Sequence, residues 1–508
     1  MYGPLDILSI ETWILLITAI LAARYYINQK YQVLKKLNIP HAPPSIFRLG
    51  NIDEMMSDLV SFFKKDLVRK KKYGKIYGTY VGVNPRITIA DPEILKQIQL
   101  KEAGIFRDRQ RSFSKVNGKE MNQALTSAEG DHWKRIRSTI SPVFSTSKLK
   151  DMIGIMDRCT DKMVKNLHKI SKDEDGKFMP TDVLSKLSLD VICSTSFNVD
   201  MHTQDDGEEP TLIKMGRKLF DIQLSKSFAF FTFFVFPSTE WIGELINYSI
   251  FPSEAVKYFA GLVDALIKNK DHDKTRVDMM TQMLNEKISE EEAKTAHKGL
   301  TRNEIVGNSI VMIMGGYETT ANTMMFVIYN LASHKHEQDK CREEIKKAVE
   351  KHGGLTYEAI GTLTYLTQCI NETLRVYPAV IRNSRYCEKE ITIQGVTIPA
   401  GIHVDIPTYG MSRDEEYWDE PTKFKPERME DMSKIDPIIF QPFGAGPRNC
   451  IGMRFALIEM KMAISKILLN FEVDMCPDTP EPPLEIIFKA SVRPKEDFSL
   501  KVTPLNSE

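Results

Sequence analysis

The stretch PFGAGPRNCIGMRFALIEMKMAI, Pro442 to Ile464, places a cysteine between a glycine-and-arginine loop and the start of an apolar, methionine-rich segment. Gly444, Gly446, Pro447 and Gly452 lie close together, so the backbone can turn tightly and pass near something flat or bulky. Beyond Gly452, the apolar positions Met453, Ala456, Leu457, Met460, Ile464, Ile467 and Leu468 recur at helical spacing. Cys450 therefore falls at a helix N-terminus, where unpaired N–H groups and the positive end of the dipole favour a thiolate. A buried cysteine is ordinarily a small hydrophobe, but that reading leaves its neighbours unexplained. A solitary thiolate with no Cys or His nearby cannot complete a zinc or iron–sulfur site. Haem iron needs only one protein thiolate.

The bulk properties set limits. The chain has 508 residues with 68 basic and 68 acidic side chains, a balance that argues against nucleic acid as a partner. Basic runs such as Arg69 to Lys72 read as solvated or membrane-facing surface. Seven cysteines, odd in number and without a C-x-x-C pair, predict reduced thiols rather than a disulfide framework. No break in composition divides the chain, so one large domain is expected over residues 51–508.

Before that domain, Ile7 to Ile27 is mostly apolar around TWILLITAILAA, long enough to cross a bilayer as one helix. Residues 1–28 are read as a membrane anchor, with an interfacial helix or a signal-peptide core as the alternatives. Arg24, Lys30, Lys35 and Lys36 follow it while Asp6 and Glu11 precede it, which predicts that the main body faces the cytosol. Residues 29–50 are basic, then proline-rich, and are expected to form a stiff hinge.

Within the main body, KIYGTYVGVNPRITIA alternates about Asn84-Pro85 and reads as a hairpin, and ITIQGVTIPAGIHVDIP gives a second β segment. Long helical periods cover residues 146–170, 181–195, 254–270, 302–333 and 336–352, so the fold class is mainly α with a small β region. The phenylalanine-rich run FAFFTFFVFP, Phe228 to Pro237, fits either a buried core segment or a loop that dips into a membrane surface.

Three further constellations carry chemistry or its scaffold. Thr301 and Glu304 form a capping box at the start of a long helix. Inside that helix, Gly315 and Gly316 each cost about 1 kcal/mol relative to alanine, and the acid Glu318 and alcohol Thr319 follow at once. Trp133 and Arg137 are four residues apart and share a helix face. Glu372 and Arg375 are three apart on a helix that must end before Pro378, and PERM, Pro426 to Met429, supplies another arginine.

The pattern F-x-x-G-x-x-x-C-x-G, here Phe443, Gly446, Cys450 and Gly452, resembles the haem-binding loop of the cytochrome P450 superfamily. GGYETT resembles its oxygen-activation motif, and the W-x-x-x-R, E-x-x-R and PERM elements occur in that family's order. The wording is most similar to the animal family 3 branch of microsomal enzymes, whose members mostly oxidise lipophilic foreign compounds and steroids. The resemblance implies a cytochrome P450 fold with haem between a long central helix and the Cys450 loop. Cys450 is then the axial iron ligand, and Arg448, Trp133, Arg137 and Arg385 bind the haem propionates, with Phe443 also at the cofactor and Arg111 a less secure candidate. Thr319 and Glu318 become the catalytic proton relay. Gly315, Ala379, Val380 and Ile381 line the substrate pocket, while Glu372, Arg375 and Arg428 lock the core.

The implied cofactors are haem b and O2, with electrons from NADPH through NADPH–cytochrome P450 reductase, and cytochrome b5 as a further partner. The implied reaction inserts one oxygen atom into a lipophilic substrate of xenobiotic, steroid or fatty-acid type, at the endoplasmic-reticulum membrane. The phenylalanine run matches a membrane-dipping lid. Two alternatives stay open: a haem-thiolate isomerase acting on lipid peroxides without reductase, and a non-catalytic haem- or lipid-binding protein.

Overall fold

The computed structural model describes every residue except 1–8, 47–48, 52–58, 110–116, 174, 198–201, 206–210, 221–231, 234–238, 269–277, 489–490 and 506–508. Helices dominate. The N-terminal helix α1 spans Ile10–Tyr31, followed by α2 (Gly130–Ile140), α3 (Thr146–Asp173), α4 (Pro180–Phe197), α5 (Ser253–Lys268), α6 (Arg302–Ser333), α7 (Lys335–His352), α8 (Thr364–Val376) and α9 (Met453–Asn470). The five long helices expected from periodicity are α3 to α7, displaced by at most a few residues at each end.

The centre of the molecule is α6. Its start is fixed by the expected capping box: Thr301 N donates to Glu304 Oε2 at 2.8 Å, and Glu304 N donates to Thr301 Oγ1 at 3.4 Å. The Glu304 carboxylate also takes Arg135 at 2.5 Å and His132 at 2.6 Å, joining α2 to α6. Helices α4 and α9 pack on α6, and α4 comes close because Gly316 carries no side chain. A Cβ there would sit 2.6 Å from Ile192 Cδ1. The cost of one of the two adjacent glycines is thus explained by helix packing.

The β region is smaller. Strands β1 (Ile76–Val81), β2 (Asn84–Ile89), β3 (Asn383–Tyr386) and β4 (His403–Ile406) form one sheet in the order β1-β2-β4-β3. The first hairpin turns at Gly82-Val83 rather than at Asn84-Pro85, because Val81 pairs with Asn84 and Tyr80 with Pro85. Gly82 takes the positive φ of 61° that the turn needs, while Pro85 is tolerated near the start of its strand.

Outside the fold, α1 exposes Ile14, Leu15, Ile20 and Leu21, and Ile10–Lys36 has the length and hydropathy to cross a membrane. Its far end is docked onto the sheet. Tyr80 Oη donates to the Tyr31 carbonyl at 3.0 Å and accepts from Leu34 N at 3.1 Å. The proline-rich segment expected as a hinge runs along β1: Gly78 N donates to Pro40 O at 2.8 Å and Ala42 N to Gly78 O at 3.1 Å. Prolines keep it extended, and Gly78 admits both it and the helical turn before it, since a Cβ there would lie 3.1 Å from His41 Cβ and 2.5 Å from Leu34 Cδ1.

The buried pair Glu372–Arg375 is bidentate, at 2.7 and 2.8 Å, with both side chains at 0% exposure. Arg375 also donates to the carbonyls of Ser412, Pro421 and Lys423, so it crosslinks α8 to the chain before PERM. Arg69 and Lys70 do not belong to a merely solvated run: Arg69 is buried against Asp66, and Lys70 bridges Asp414 and Glu416. All seven cysteines are free thiols. Of the run Phe228 to Pro237, only Thr232 and Phe233 lie within the described residues. Phe233 is buried against the Tyr248 ring, and the helix that follows, Glu240–Leu245, exposes Trp241 and Leu245.

Candidate active site

The Cys450 loop is held by its own backbone and by close approach to a neighbour. Cys450 N donates to Phe443 O at 2.8 Å. Gly444 and Gly446 both have positive φ, and a Cβ on Gly446 would lie 2.0 Å from the Gln99 carbonyl oxygen, so only glycine fits. Helix α9 starts at Met453, capped by Gly452, so Cys450 stands just before it as expected. Burial nevertheless pushes the thiol up, and the Gly452 N–H and the charges of Arg109 and Arg137 offset this only in part. Yet the residue is exposed. A thiol that is both desolvated and accessible faces a space inside the molecule.

Arginines collect around that space. Arg448 stacks over the Trp133 ring at 4.1 Å and donates to Asp108 Oδ1 at 3.0 Å, Ala128 O at 2.9 Å and Arg107 O at 2.8 Å. Arg137, from α2, donates to the Asn449 carbonyl and side-chain oxygens, both at 2.9 Å. Arg385, on β3, reaches, among the described residues, only the carbonyls of Ser384 and Ala445. Arg109 donates to Arg448 O at 2.8 Å, and its Nε has no partner among the described residues. Burial is the largest influence on each and pushes it down, Arg385 to about 9 and Arg448 to about 10. Among the described residues, the one carboxylate on this group is Asp108. Guanidinium rarely gives up its proton, so this excess positive charge calls for an anion.

On α6, Gly315 opens onto free space: an added Cβ would meet nothing within 4 Å. This separates it from Gly316, whose role is packing. Thr319 donates its hydroxyl hydrogen back to Gly315 O at 2.6 Å, a local bond that α-helices tolerate. Glu318 is half-buried, and its Oε1 accepts from Ser491 Oγ at 3.0 Å. Of the expected pocket residues, Val380 is 40% exposed and Ala379 half-buried, whereas Ile381 is 2% exposed and packed in the main core. A separate polar cavity of about 490 Å³, lined by Lys119, Asn122, Glu129, His132 and Glu244 among others, contains none of the expected site residues.

The cytochrome P450 family model matches residues 40–502. The chain belongs to the cytochrome P450 family. It is 38% identical over 505 residues to cytochrome P450 3A31 of Mesocricetus auratus, covering 98% of each chain. Cytochrome P450 3A5 of Homo sapiens is 36% identical, and lithocholate 6-beta-hydroxylase of Mesocricetus auratus 37%, each over 97% of both chains. The molecule is thus a cytochrome P450 monooxygenase, of a family that carries haem iron on a cysteine thiolate, uses O2 and takes electrons from redox partners.

The donor set of this cytochrome P450 fits an iron porphyrin: one accessible thiol for the metal, and surplus guanidinium charge for acidic side groups. Arg111, the less secure candidate, lies outside the described residues, whereas Arg109, two residues earlier, donates to Arg448 O and lies in the field that acts on Cys450. The signal was the basic run FRDRQR itself, in which spacing alone does not say which arginine turns inward.

Proposed function

We propose that this cytochrome P450 inserts one oxygen atom from O2 into a lipophilic substrate of the steroid or xenobiotic kind, with electrons supplied by NADPH through NADPH–cytochrome P450 reductase and cytochrome b5 as an accessory donor. The observation that carries the reading is Cys450: an accessible thiol inside the protein, in the field of Arg109 and Arg137. When bound, haem supplies the oxidising chemistry, and a thiolate ligand favours cleavage of O–O bonds.

The chain's own residues have separate tasks. Cys450 ligates the iron, while Arg109, Arg137, Arg385 and Arg448 bind the propionates, with Trp133 stacked on Arg448 and Phe443 bracing the loop. Gly315 leaves room beside α6 for the reacting atoms. Thr319 rotates its hydroxyl off the Gly315 carbonyl to hand on a proton, and Glu318 replenishes it. Ala379 and Val380 line the substrate seat. Residues 1–28 anchor the enzyme in the endoplasmic-reticulum membrane with residues 51–508 in the cytosol, and the docked segment 29–50 sets the attitude of one to the other. The exposed Trp241 and Leu245 suit contact with the lipid surface.

The test is the absorption spectrum of the dithionite-reduced, carbon-monoxide-bound protein, wild type against Cys450→Ser. A strongly red-shifted Soret band that disappears in the variant is expected; an imidazole-like spectrum in the wild type overturns thiolate ligation. Turnover that persists without reductase and survives Thr319→Ala would instead assign an isomerase.

A further inference from the structure

Glu318 does not stand alone on α6. One turn further along lies Asn322, 7% exposed, and from the other end of the chain comes Ser491, 1% exposed, just before the strand Val492–Pro494. Asn322 Nδ2 donates both hydrogens, to Ser491 Oγ at 2.9 Å and to the Val492 carbonyl at 3.2 Å. The carbonyl can only accept, which fixes the orientation of the Asn322 amide: turned over, it would set oxygen against oxygen. Ser491 Oγ therefore receives a hydrogen from Asn322, and its own single hydrogen points to Glu318 Oε1 at 3.0 Å. The direction of the whole chain follows: Asn322 to Ser491 to Glu318.

We propose that Ser491 and Asn322 are positioning residues for the Glu318 carboxyl, holding Oε1 as an acceptor so that a proton carried by this group rides on Oε2. A carboxyl that spins about its last bond offers either oxygen and spends part of its time aimed away from its acceptor. One clamped through Oε1 presents the same oxygen at every turnover, which is what proton transfer at hydrogen-bond distance requires. The clamp also reaches the substrate seat, because Val492 N donates to Ala379 O at 3.3 Å. The inference rests on the reading of Glu318 as a proton donor, and its test separates the two.

The haem-loaded, full-length enzyme is assayed with its reductase and lithocholate as probe, reading product formed and hydrogen peroxide released per NADPH consumed. Ser491→Ala is expected to raise the peroxide share roughly three- to tenfold, the effect of losing one hydrogen bond to an ionisable group. Ser491→Thr restores the wild-type share, and Ser491→Ala adds nothing in a Glu318→Gln background. The carbon-monoxide spectrum stays the same in all of them, which separates positioning from misfolding. Independently of turnover, the infrared band lost in Glu318→Gln should move in Ser491→Ala and return in Ser491→Thr.

If Glu318→Gln leaves the peroxide share unchanged, the relay reading fails and takes this inference with it. If Glu318→Gln raises it while Ser491→Ala does not, or if the infrared band stays in place, the clamp alone is overturned. An Ser491→Ala effect of equal size with and without Glu318 overturns it too.

Discussion

Two groups of buried or half-buried arginines in this molecule have opposite electrostatic fates. Beside the four-stranded sheet, Arg86 donates to Asp405 at 2.5 and 2.7 Å and Arg382 donates to Asp405 at 3.0 Å and also to Asp66. Burial works against Arg382 and Asp405, but their partners win: Arg382 is held above its ordinary value and Asp405 is drawn down to about 2. Around Cys450, among the described residues, Asp108 is the one carboxylate bonded to the group of Arg109, Arg137, Arg385 and Arg448, it is held by Arg448 alone, and burial wins. The first group is complete within the chain. The second keeps an excess of positive charge among the described residues, as an anion-binding site would, and that contrast separates it from a structural joint built of the same residue type.

The sharpest way to break the comparison is to remove the carboxylate that completes the first group. Asp405→Ala leaves Arg86 and Arg382 without their shared partner, and thermal or urea unfolding should register a loss of about 3–5 kcal/mol. A loss under about 1 kcal/mol would mean that the two groups do not differ as described. Part of this is visible without mutation. The folded value of about 2 lies below the ordinary 3.8, so Asp405 contributes stability that is present above about pH 4 and lost as the pH falls toward 2. That share is about 2–3 kcal/mol, and it should be missing from the acid unfolding profile of Asp405→Asn.

A third buried charge shows the remaining outcome. Glu459 on α9 is 1% exposed and accepts a bond from Ser188 Oγ at 2.5 Å; among the described residues it has no cation beside it and its Oε2 has no partner. Burial raises it to about 8, so it is neutral in the fold at pH 7. Because the folded value exceeds the ordinary 4.5, its contribution is fully present below about pH 4.5 and is lost as the pH rises through 8. Glu459→Gln should match wild type at pH 5 and exceed it by about 2–4 kcal/mol at pH 8 in chemical unfolding. An equal gain at both pH values would show that the glutamine merely packs better.

Much of this was legible in the sequence, for reasons that can be named. The Cys450 loop, the capping box of α6 and the Glu372–Arg375 pair are local patterns, each fixed by residues within a few positions of one another. The hairpin was legible as a pair of strands but not in its turn, because Asn-Pro is a strong turn signal and Gly82-Val83 a weaker one. What stayed hidden depends on residues far apart in the chain. Gly315 and Gly316 look alike until Ile192 is known to press on only one of them. Ser491 means nothing until the chain returns from 169 residues beyond Asn322. The proline-rich segment reads as a hinge until Gly78 is seen to admit it. Burial also reversed one expectation: a helix N-terminus alone does not make Cys450 a ready thiolate.

The smallest change in stability, and the most telling one, is expected at Arg385. It is 3% exposed, bonded among the described residues only to carbonyls, and repelled by Arg109 and Arg448. Methionine keeps much of the length and removes the charge, and replacing a poorly compensated buried charge by an apolar side chain is often neutral or stabilising. Arg385→Met should therefore leave unfolding of the haem-free protein within about 1 kcal/mol of wild type or shift it upward. Haem should leave the variant about tenfold faster, as measured by transfer to an excess of a haem-scavenging protein, because a charge-assisted bond to a propionate is lost. The same substitution at Arg382 should do the reverse, destabilising the protein strongly while leaving haem release from the surviving folded fraction unchanged. If Arg385→Met proves as damaging to the haem-free fold as Arg382→Met, the arginines around Cys450 are structural as well, and the division between a self-contained joint and an anion site collapses.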